Sequence, residues 1–108
     1  MIETLSASHF QPYLQQTFTV SLPEQELPLV LHEVVLYTPR AAQVIQAHGR
    51  ELTIRPDPYG LIFRGPHQPA LPQQLYALTH PDWAEAESVF LVPVGIDEAG
   101  RYYEVGFS

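Results

Sequence analysis

The sequence predicts a mainly β domain, a small antiparallel β-barrel or sandwich of six to seven strands with a short N-terminal helix. The chain has 108 residues and contains 11 prolines. Because proline ends helices and is excluded from central strands, its elements must be short. Short apolar runs separated by turn-forming residues recur along the second half, a pattern typical of antiparallel sandwiches and barrels.

A short helix is predicted within residues 5–14, where apolar residues recur at helical spacing. Ser6 or Ser8 can cap it. Ser8 is favoured because Pro12 is acceptable only in the first turn of a helix. We expect this helix to close one open end of the sheet.

Two strands follow the helix. Residues 17–22 alternate between apolar and polar side chains, which indicates a half-buried strand with Phe18 and Val20 facing inward. Residues 27–37 are almost continuously apolar apart from His32 and Glu33, where we expect a bend or bulge in a long strand. The two strands are predicted to form an antiparallel hairpin.

The whole chain, residues 1–108, is predicted as a single domain with a variable insertion at residues 38–58. Within it, residues 41–48 have the propensities of a helix. Residues 52–55 favour a short strand. The insertion is therefore predicted to be part helical and part strand.

The second half is predicted to contain four strands, at residues 59–64, 74–80, 88–94 and 101–107. A turn is expected at residues 95–100, where Gly100 can adopt a positive φ.

Charge and composition exclude several functional classes. The chain has 12 acidic residues against 5 arginines and no lysine, a formal charge of -7. Such a charge argues against binding to nucleic acid and to anionic membranes. There are no cysteines, which excludes disulfides and thiolate chemistry. No secretory signal or transmembrane run is recognisable, so a cytoplasmic protein is expected.

Arg64 is the first candidate site residue, because it follows Phe63 inside an apolar strand. A charge among core residues is costly unless it is paired. We predict a structural ion pair with Glu104, or with Glu33 as the second choice, and a loss of stability when Arg64 is replaced by Met. The alternative is an arginine that binds an anion or carboxylate at a pocket mouth.

No cofactor, metal site or catalytic motif is predicted. The five histidines lack the spacing of a zinc site, and His80-Pro81-Asp82 lies in a turn where a side-chain hydrogen bond is the ordinary explanation. A Gly-x-Ser-x-Gly motif and a phosphate-binding glycine loop are both absent from the sequence. We therefore expect a protein that is not an enzyme.

Aromatic residues in the second half are candidates for a binding surface: Tyr76, Trp83, Tyr102 and Tyr103. Adjacent residues of a strand point to opposite faces, so either Tyr102 or Tyr103 should face outward or line a cavity. Exposed aromatic side chains are typical anchors of protein interfaces. Trp83 is the favoured anchor, with Tyr76, Tyr102 and Arg64 as further candidates, and ordinary sheet packing is the alternative.

The second half carries a recognisable pattern: 61-LIFRGP-66, 75-LYALTHP-81, 90-FLVPVG-95 and 101-RYYEVGF-107. It resembles a family of small bacterial proteins of unknown function, the DUF6916 type. The resemblance covers roughly the first 35 and the last 50 residues and implies no active site. It implies an association with phage-tail-like or appendage assemblies.

Two functional hypotheses follow. The first is a non-enzymatic protein-interaction or structural-accessory module that acts through an exposed sheet edge or aromatic patch on a protein partner, with a homo-oligomer left open. The alternative is a small-molecule-binding β-barrel that uses Arg64 and a carboxylate. A barrel interior filled by Phe18, Leu61, Phe63, Leu78 and Leu91 would favour the first hypothesis.

Overall fold

Six strands close into an antiparallel barrel in the computed structural model of the chain. The structure describes residues 5–37, 43–47, 50–54 and 58–107. The strands are β1 (Thr17–Ser21), β2 (Glu26–Leu36), β3 (Gln43–Ala47), β4 (Arg50–Ile54), β5 (Tyr59–Gly65), β6 (Gln74–Thr79), β7 (Glu87–Asp97) and β8 (Gly100–Phe107). The barrel order is β1-β2-β5-β8-β7-β6, and β6 pairs back onto β1. The mainly β prediction is confirmed, and of its two forms the chain adopts the barrel.

The N-terminal helix is shorter than predicted. Helix α1 spans Ala7–Phe10, and a 3-10 helix follows at Gln11–Tyr13. The N-cap is Ser6 rather than Ser8, so the predicted cap is wrong. Proline inside an α-helix would clash with the carbonyl four residues earlier, and Pro12 instead lies in the first turn of the 3-10 helix.

The helix closes one end of the barrel, as predicted. Phe10 is fully buried, and its ring lies 6.3 Å from that of Tyr59 and 6.5 Å from that of Phe107. The Tyr59 hydroxyl donates a hydrogen bond of 2.8 Å to the carbonyl of Leu5. Aromatic packing and one buried hydroxyl thus fix the helix against strands β5 and β8.

The loop at residues 66–73 covers the opposite end. Leu71 is buried beneath it, and its backbone N–H donates to the Tyr103 hydroxyl at 3.1 Å. The Tyr76 hydroxyl donates to the carbonyl of Pro72 at 2.7 Å. Both ends of the barrel are therefore covered by side chains.

The barrel interior is filled by apolar side chains. The five predicted fillers are 0–1% exposed: Phe18, Leu61, Phe63, Leu78 and Leu91. Tyr59, Tyr103, Leu29 and Leu31 are equally buried among them. Small barrels have an interior just wide enough for side chains to fill, and this one follows that pattern.

The hairpin of β1 and β2 and the irregularity in β2 are confirmed. The register of β2 against β5 shifts between Leu31 and Glu33, which leaves His32 as the extra residue of a bulge. A bulge re-aims the side chains on either side of it.

The predicted helix in the insertion is wrong for residues 43–47, which form strand β3. This strand pairs with β4 in antiparallel register, with Ile45 opposite Leu52 and Val44 opposite Thr53. Consecutive β-branched residues favour a strand, and cross-strand pairing outweighs the helical propensity of the flanking alanines and glutamines. The predicted strand at 52–55 is confirmed over residues 52–54. The remaining residues of both predicted segments, 41, 42, 48 and 55, lie outside the described ones.

The turn predicted at residues 95–100 is shorter than expected. Strand β7 continues to Asp97, and Glu98 and Ala99 alone connect it to β8. The Asp97 carboxylate accepts hydrogen bonds from the backbone N–H groups of Ala99 at 2.8 Å and Gly100 at 3.2 Å. Gly100 has a φ of +157°, which confirms the predicted positive φ.

Candidate interaction surface

Arg64 lies on the outer face of the barrel, half-buried and opposite Tyr102 and Val30 in the neighbouring strands. No carboxylate oxygen of Glu104 or Glu33 comes within 4.0 Å of its guanidinium in the part of the chain that the structure describes. The predicted Arg64–Glu104 and Arg64–Glu33 ion pairs are therefore wrong. Alternation in β5 places Phe63 inside the barrel and Arg64 on the outer face, where water solvates the charge and no ion pair is needed.

Glu104 points away from Arg64. It lies opposite Ile62, and its side chain extends over Gly60, where a Cβ atom would be only 2.6 Å from Glu104 Oε2. The same Cβ would be 2.7 Å from the hydroxyl oxygen of Tyr37. The missing side chain at Gly60 thus provides the space that the Glu104 carboxylate occupies.

Arg64 instead lies beside a hydrogen-bonded pair, Tyr102 and Asp97. The Tyr102 hydroxyl donates to Asp97 Oδ2 at 2.9 Å. This bond, with smaller contributions from the backbone N–H groups of the turn and the charge of Arg64, lowers the pKa of Asp97 below its ordinary value. The same bond raises the pKa of Tyr102. Arg64, Tyr102 and Asp97 form one polar cluster. Its Asp97 carboxylate also accepts the hydrogen bonds of the β7–β8 turn.

The prediction that Tyr102 and Tyr103 face opposite sides is confirmed. Tyr103 is 1% exposed inside the barrel, and Tyr102 is half-buried on the outer face. The His32 ring packs edge-on against Tyr102 at 5.2 Å. Tyr102 thus contacts the His32 ring and bonds to the Asp97 carboxylate, and it presents only part of its surface.

Tyr76 is not the exposed aromatic anchor that the sequence predicts. It is 6% exposed, and burial raises the pKa of its hydroxyl. Alternation in β6 is the reason, since Tyr76 and Leu78 face the interior and Leu75 faces outward.

Trp83 is half-buried at the end of the barrel that the helix closes. Its ring lies 5.4 Å from Phe18 in an edge-to-face arrangement. With Leu5, His9 and Glu85 it lines an open groove of about 360 Å³. The structure thus places Trp83 partly in the core and partly in the groove wall, and its role in binding stays a prediction.

His80 has a structural role, as its turn position predicts. The backbone N–H of Asp82 donates to His80 Nδ1 at 3.0 Å, so the proton of the ring is on Nε2, which donates to Gln16 Oε1 at 2.8 Å. The Gln16 amide in turn donates to the carbonyl of Pro12 at 3.3 Å. The Tyr13 hydroxyl donates to the Asp82 carboxylate at 3.1 Å, and this bond raises the pKa of Tyr13. These bonds tie the β6–β7 loop to the N-terminal segment.

Among the described residues, no group of three or more potential ligands could hold a metal ion.

Two exposed apolar side chains lie side by side on the outer face of β6 and β7. We call this pair the apolar stripe and define it by Leu75 and Phe90. Leu75 and Phe90 are 64% and 47% exposed and lie directly opposite each other in register. Val94 and Ile96 are 52% and 58% exposed, but the register of β7 shifts between Pro93 and Gly95 and places Ile96 opposite Arg101, on the other face of the strand from Phe90. Contiguous exposed apolar surface marks interaction sites, whereas single exposed apolar residues are ordinary.

Charges of both signs lie along β7 and its turn. Glu85 and Glu87 precede Phe90 along the chain, and Asp97 and Glu98 follow it. Arg101 lies opposite Ile96, and Arg64 is beside Asp97.

A family model described as a domain of unknown function, DUF6916, matches residues 5–107. The chain belongs to this family. No curated protein and no solved structure matches the chain. The match runs through residues 38–58, so the resemblance predicted for the two ends of the sequence extends over the insertion as well.

The sequence contains a signal for the apolar stripe in addition to the pattern of each single strand. Leu75-Tyr76 and Phe90-Leu91 are pairs of adjacent apolar residues within strands. Only one member of such a pair can face the interior of a barrel. The same rule that separates Tyr102 from Tyr103 would place one member of each pair outside, and the structure shows that these members are Leu75 and Phe90.

No helix in the part of the chain that the structure describes is long and apolar enough to cross a membrane.

Proposed function

We propose that this member of the DUF6916 family is a non-enzymatic interaction module that contacts a protein partner through the apolar stripe. The observation that carries the proposal is the pairing of Leu75 with Phe90, two large apolar side chains that face solvent side by side. Leaving such side chains in water forgoes about 25 cal/mol for each Å² of apolar surface that a partner could bury. Interfaces concentrate their binding energy in a few side chains of this kind.

The filled interior supports this proposal over the alternative of a small-molecule-binding barrel. Ligand pockets are concave sites of roughly 300–1,000 Å³ that enclose most of their ligand. The space inside this barrel is taken by Phe18, Leu61, Phe63 and their neighbours. Arg64, the polar group that the alternative requires, faces outward. The alternative therefore loses the cavity and the charge on which it depends.

Closure of the barrel also changes the proposed mode of contact. Strand addition requires an unpaired edge, and in a closed barrel each strand has two neighbours. The face of β6 and β7 therefore replaces a barrel edge as the proposed contact surface, and Trp83 is kept as a second candidate anchor. The assignments to a phage-tail-like or appendage assembly and to the cytoplasm stay predictions.

A comparison of two matched variants tests the proposal. Leu75→Asp places a charge in the apolar stripe, and Leu36→Asp places one at an equally exposed leucine on β2, 68% exposed against 64%. Each variant and the unchanged protein are used as bait in an extract of the source cells, and the captured proteins are quantified by mass spectrometry.

The proposal predicts a protein that is captured by the unchanged chain and by Leu36→Asp and is depleted roughly tenfold or more by Leu75→Asp. A captured set that is the same for all three baits would contradict it. Circular dichroism of each variant checks that the barrel is intact.

A further inference from the structure

Strands β3 and β4 form a two-stranded sheet that is separate from the barrel. Each barrel strand has two neighbours, whereas β3 and β4 pair only with each other among the strands that the structure describes. We infer that β3 pairs with β3 of a second copy of this chain, so that two hairpins join into one four-stranded antiparallel sheet. This contact is distinct from the apolar stripe and goes beyond the proposed function.

The register of the hairpin identifies the backbone groups at the free edge of β3. Ala47 and Arg50 lie opposite each other with two residues between them. A connection of this length closes with hydrogen bonding between the residues at its ends, and hydrogen-bonded pairs then alternate with non-hydrogen-bonded ones along the strands. The N–H and C=O groups of Val44 and Gln46 therefore point away from β4.

These four outward groups are self-complementary. When two β3 strands run antiparallel with Ile45 opposite Ile45 of the second copy, Val44 of each strand lies opposite Gln46 of the other. Each of these two pairs forms two backbone hydrogen bonds, so that all four groups of both strands have a partner. The two-fold axis passes between the two Ile45 residues, and the same patch of both copies is used, as in a closed dimer.

The residue types of β3 favour a second copy as the partner. Gln43–Ala47 contains no charged residue and no proline, although the chain carries a formal charge of -7. Two copies therefore meet at β3 without placing like charges opposite each other. Charged residues on an edge strand discourage pairing, and β4 carries two of them, Arg50 and Glu51. The free edge of β3 is thus open to pairing, and that of β4 is protected.

The pairing also stabilises the hairpin itself. An isolated two-stranded hairpin is at best marginally stable in water, and three or more strands give a sheet that is stable on its own. Joining two copies through β3 produces four strands. Because Ile45 lies opposite Leu52 in each hairpin, the joined sheet places the register positions of these two residues from both copies in one row.

Cysteine substitution tests the register of this contact. The chain has no cysteine, so Ile45→Cys and Ala47→Cys each introduce one thiol into the full chain. Opposite residues of an antiparallel pair have Cα atoms about 4.5–5.5 Å apart, within reach of a disulfide. Ala47 is the matched control, because it lies opposite Gln43 of the second copy and is displaced from its own counterpart by four residues, roughly 13 Å.

Both cysteine variants are oxidised at the same protein concentration, and the products are analysed by non-reducing electrophoresis and mass spectrometry. We expect Ile45→Cys to form a disulfide-linked dimer roughly tenfold faster than Ala47→Cys, or more. Circular dichroism checks that the barrel is intact in both variants.

Charge variants test the same contact without a cross-link. Ile45→Lys and Ile45→Glu each place like charges opposite each other at the two-fold axis, and each should weaken self-association by roughly tenfold or more. An equimolar mixture of the two variants pairs opposite charges and should restore it. Thr53→Lys adds the same charge to β4 and should leave self-association within about twofold. Sedimentation equilibrium of the full chain up to about 1 mM measures these effects.

Three results would overturn the inference. A chain that stays monomeric at about 1 mM, with equally slow disulfide formation in both cysteine variants, would mean that β3 does not pair with a second copy. Self-association that both Ile45 charge variants leave unchanged would place the contact elsewhere, and its loss in Leu75→Asp would assign it to the apolar stripe. A mixture of the charge variants that associates as weakly as each variant alone would contradict the register centred on Ile45.

Discussion

Leu75 and Phe90 lie opposite each other on the outer face of β6 and β7, and both are largely exposed to solvent. On the inner face of the same two strands, the adjacent residues Tyr76 and Leu91 are buried. Each strand thus has apolar side chains on both faces, but only one face packs against the core. The unpaired outer face is the feature on which the proposed interaction depends.

Replacing phenylalanine by alanine should lower the free energy of unfolding by different amounts on the inner and outer faces of the barrel. Phe63→Ala removes a ring from the filled interior and should lower the free energy of unfolding by about 3–5 kcal/mol. Phe90→Ala removes an exposed ring and should cost about 1 kcal/mol or less. Urea denaturation of both variants measures the difference, and equal costs would mean that Phe90 is buried in the free protein.

Arg64→Met should change stability little, in contrast to the effect expected from the sequence. The guanidinium is outside the barrel and has no carboxylate of Glu33 or Glu104 within ion-pair distance. We expect a change in the free energy of unfolding of about 1 kcal/mol or less. A double-mutant cycle with Glu104→Gln should give a coupling energy near zero, and a large coupling would restore the ion pair.

The hydrogen bond between Tyr102 and Asp97 predicts an acid-side dependence of stability. Because this bond lowers the pKa of Asp97 in the folded state, the group stabilises the fold above its ordinary pKa of 3.8. That contribution should be lost as the pH falls through the lower folded value.

Tyr102→Phe removes the main cause of the lowered pKa. The pKa of Asp97 should then rise towards its ordinary value, and the acid-side loss of stability should become smaller. Carbon-detected NMR titration of the Asp97 carboxyl group measures this, and an unchanged pKa would assign the shift to the turn N–H groups or to Arg64.

Gly100 and Gly95 give a matched test of the β7–β8 hairpin. Gly100 has a positive φ, and an added Cβ would contact the backbone carbonyl oxygen of Gly65. Gly100→Ala should therefore lower the free energy of unfolding by about 1–3 kcal/mol. An added Cβ at Gly95 meets no atom within 4 Å, so Gly95→Ala should change it by about 0.5 kcal/mol or less. Equal thermal unfolding midpoints for the two variants would contradict the hairpin geometry.

The local pattern of the sequence predicts most of the barrel strands because alternation and turn residues act over a few positions. The strand with Phe18 and Val20 inward follows from such a pattern and is confirmed. Closure of the barrel, which pairs β6 with β1, brings together residues about 60 positions apart. No local pattern distinguishes that closure from a sandwich.

The direction of surface side chains and the pairing of the short strands are the parts that the sequence predicts least well. The sequence places Arg64 in an apolar strand, but the direction of its side chain follows from the phase of the strand relative to Phe63. The sequence does not predict strand β3, because its alanine and glutamine content favours a helix, whereas its pairing with β4 favours a strand.

Site-specific cross-linking from position 90 tests the central claim most directly. The chain has no cysteine, so Phe90→Cys and Leu36→Cys each provide a unique attachment point for a photoactivated cross-linker. Both labelled proteins are irradiated in an extract of the source cells, and the products are analysed by mass spectrometry. We predict that position 90 forms a defined cross-link to a protein whose contact segment is apolar, and that position 36 does not. The same products from both positions, or none from position 90, would contradict the claim that the apolar stripe is the contact surface.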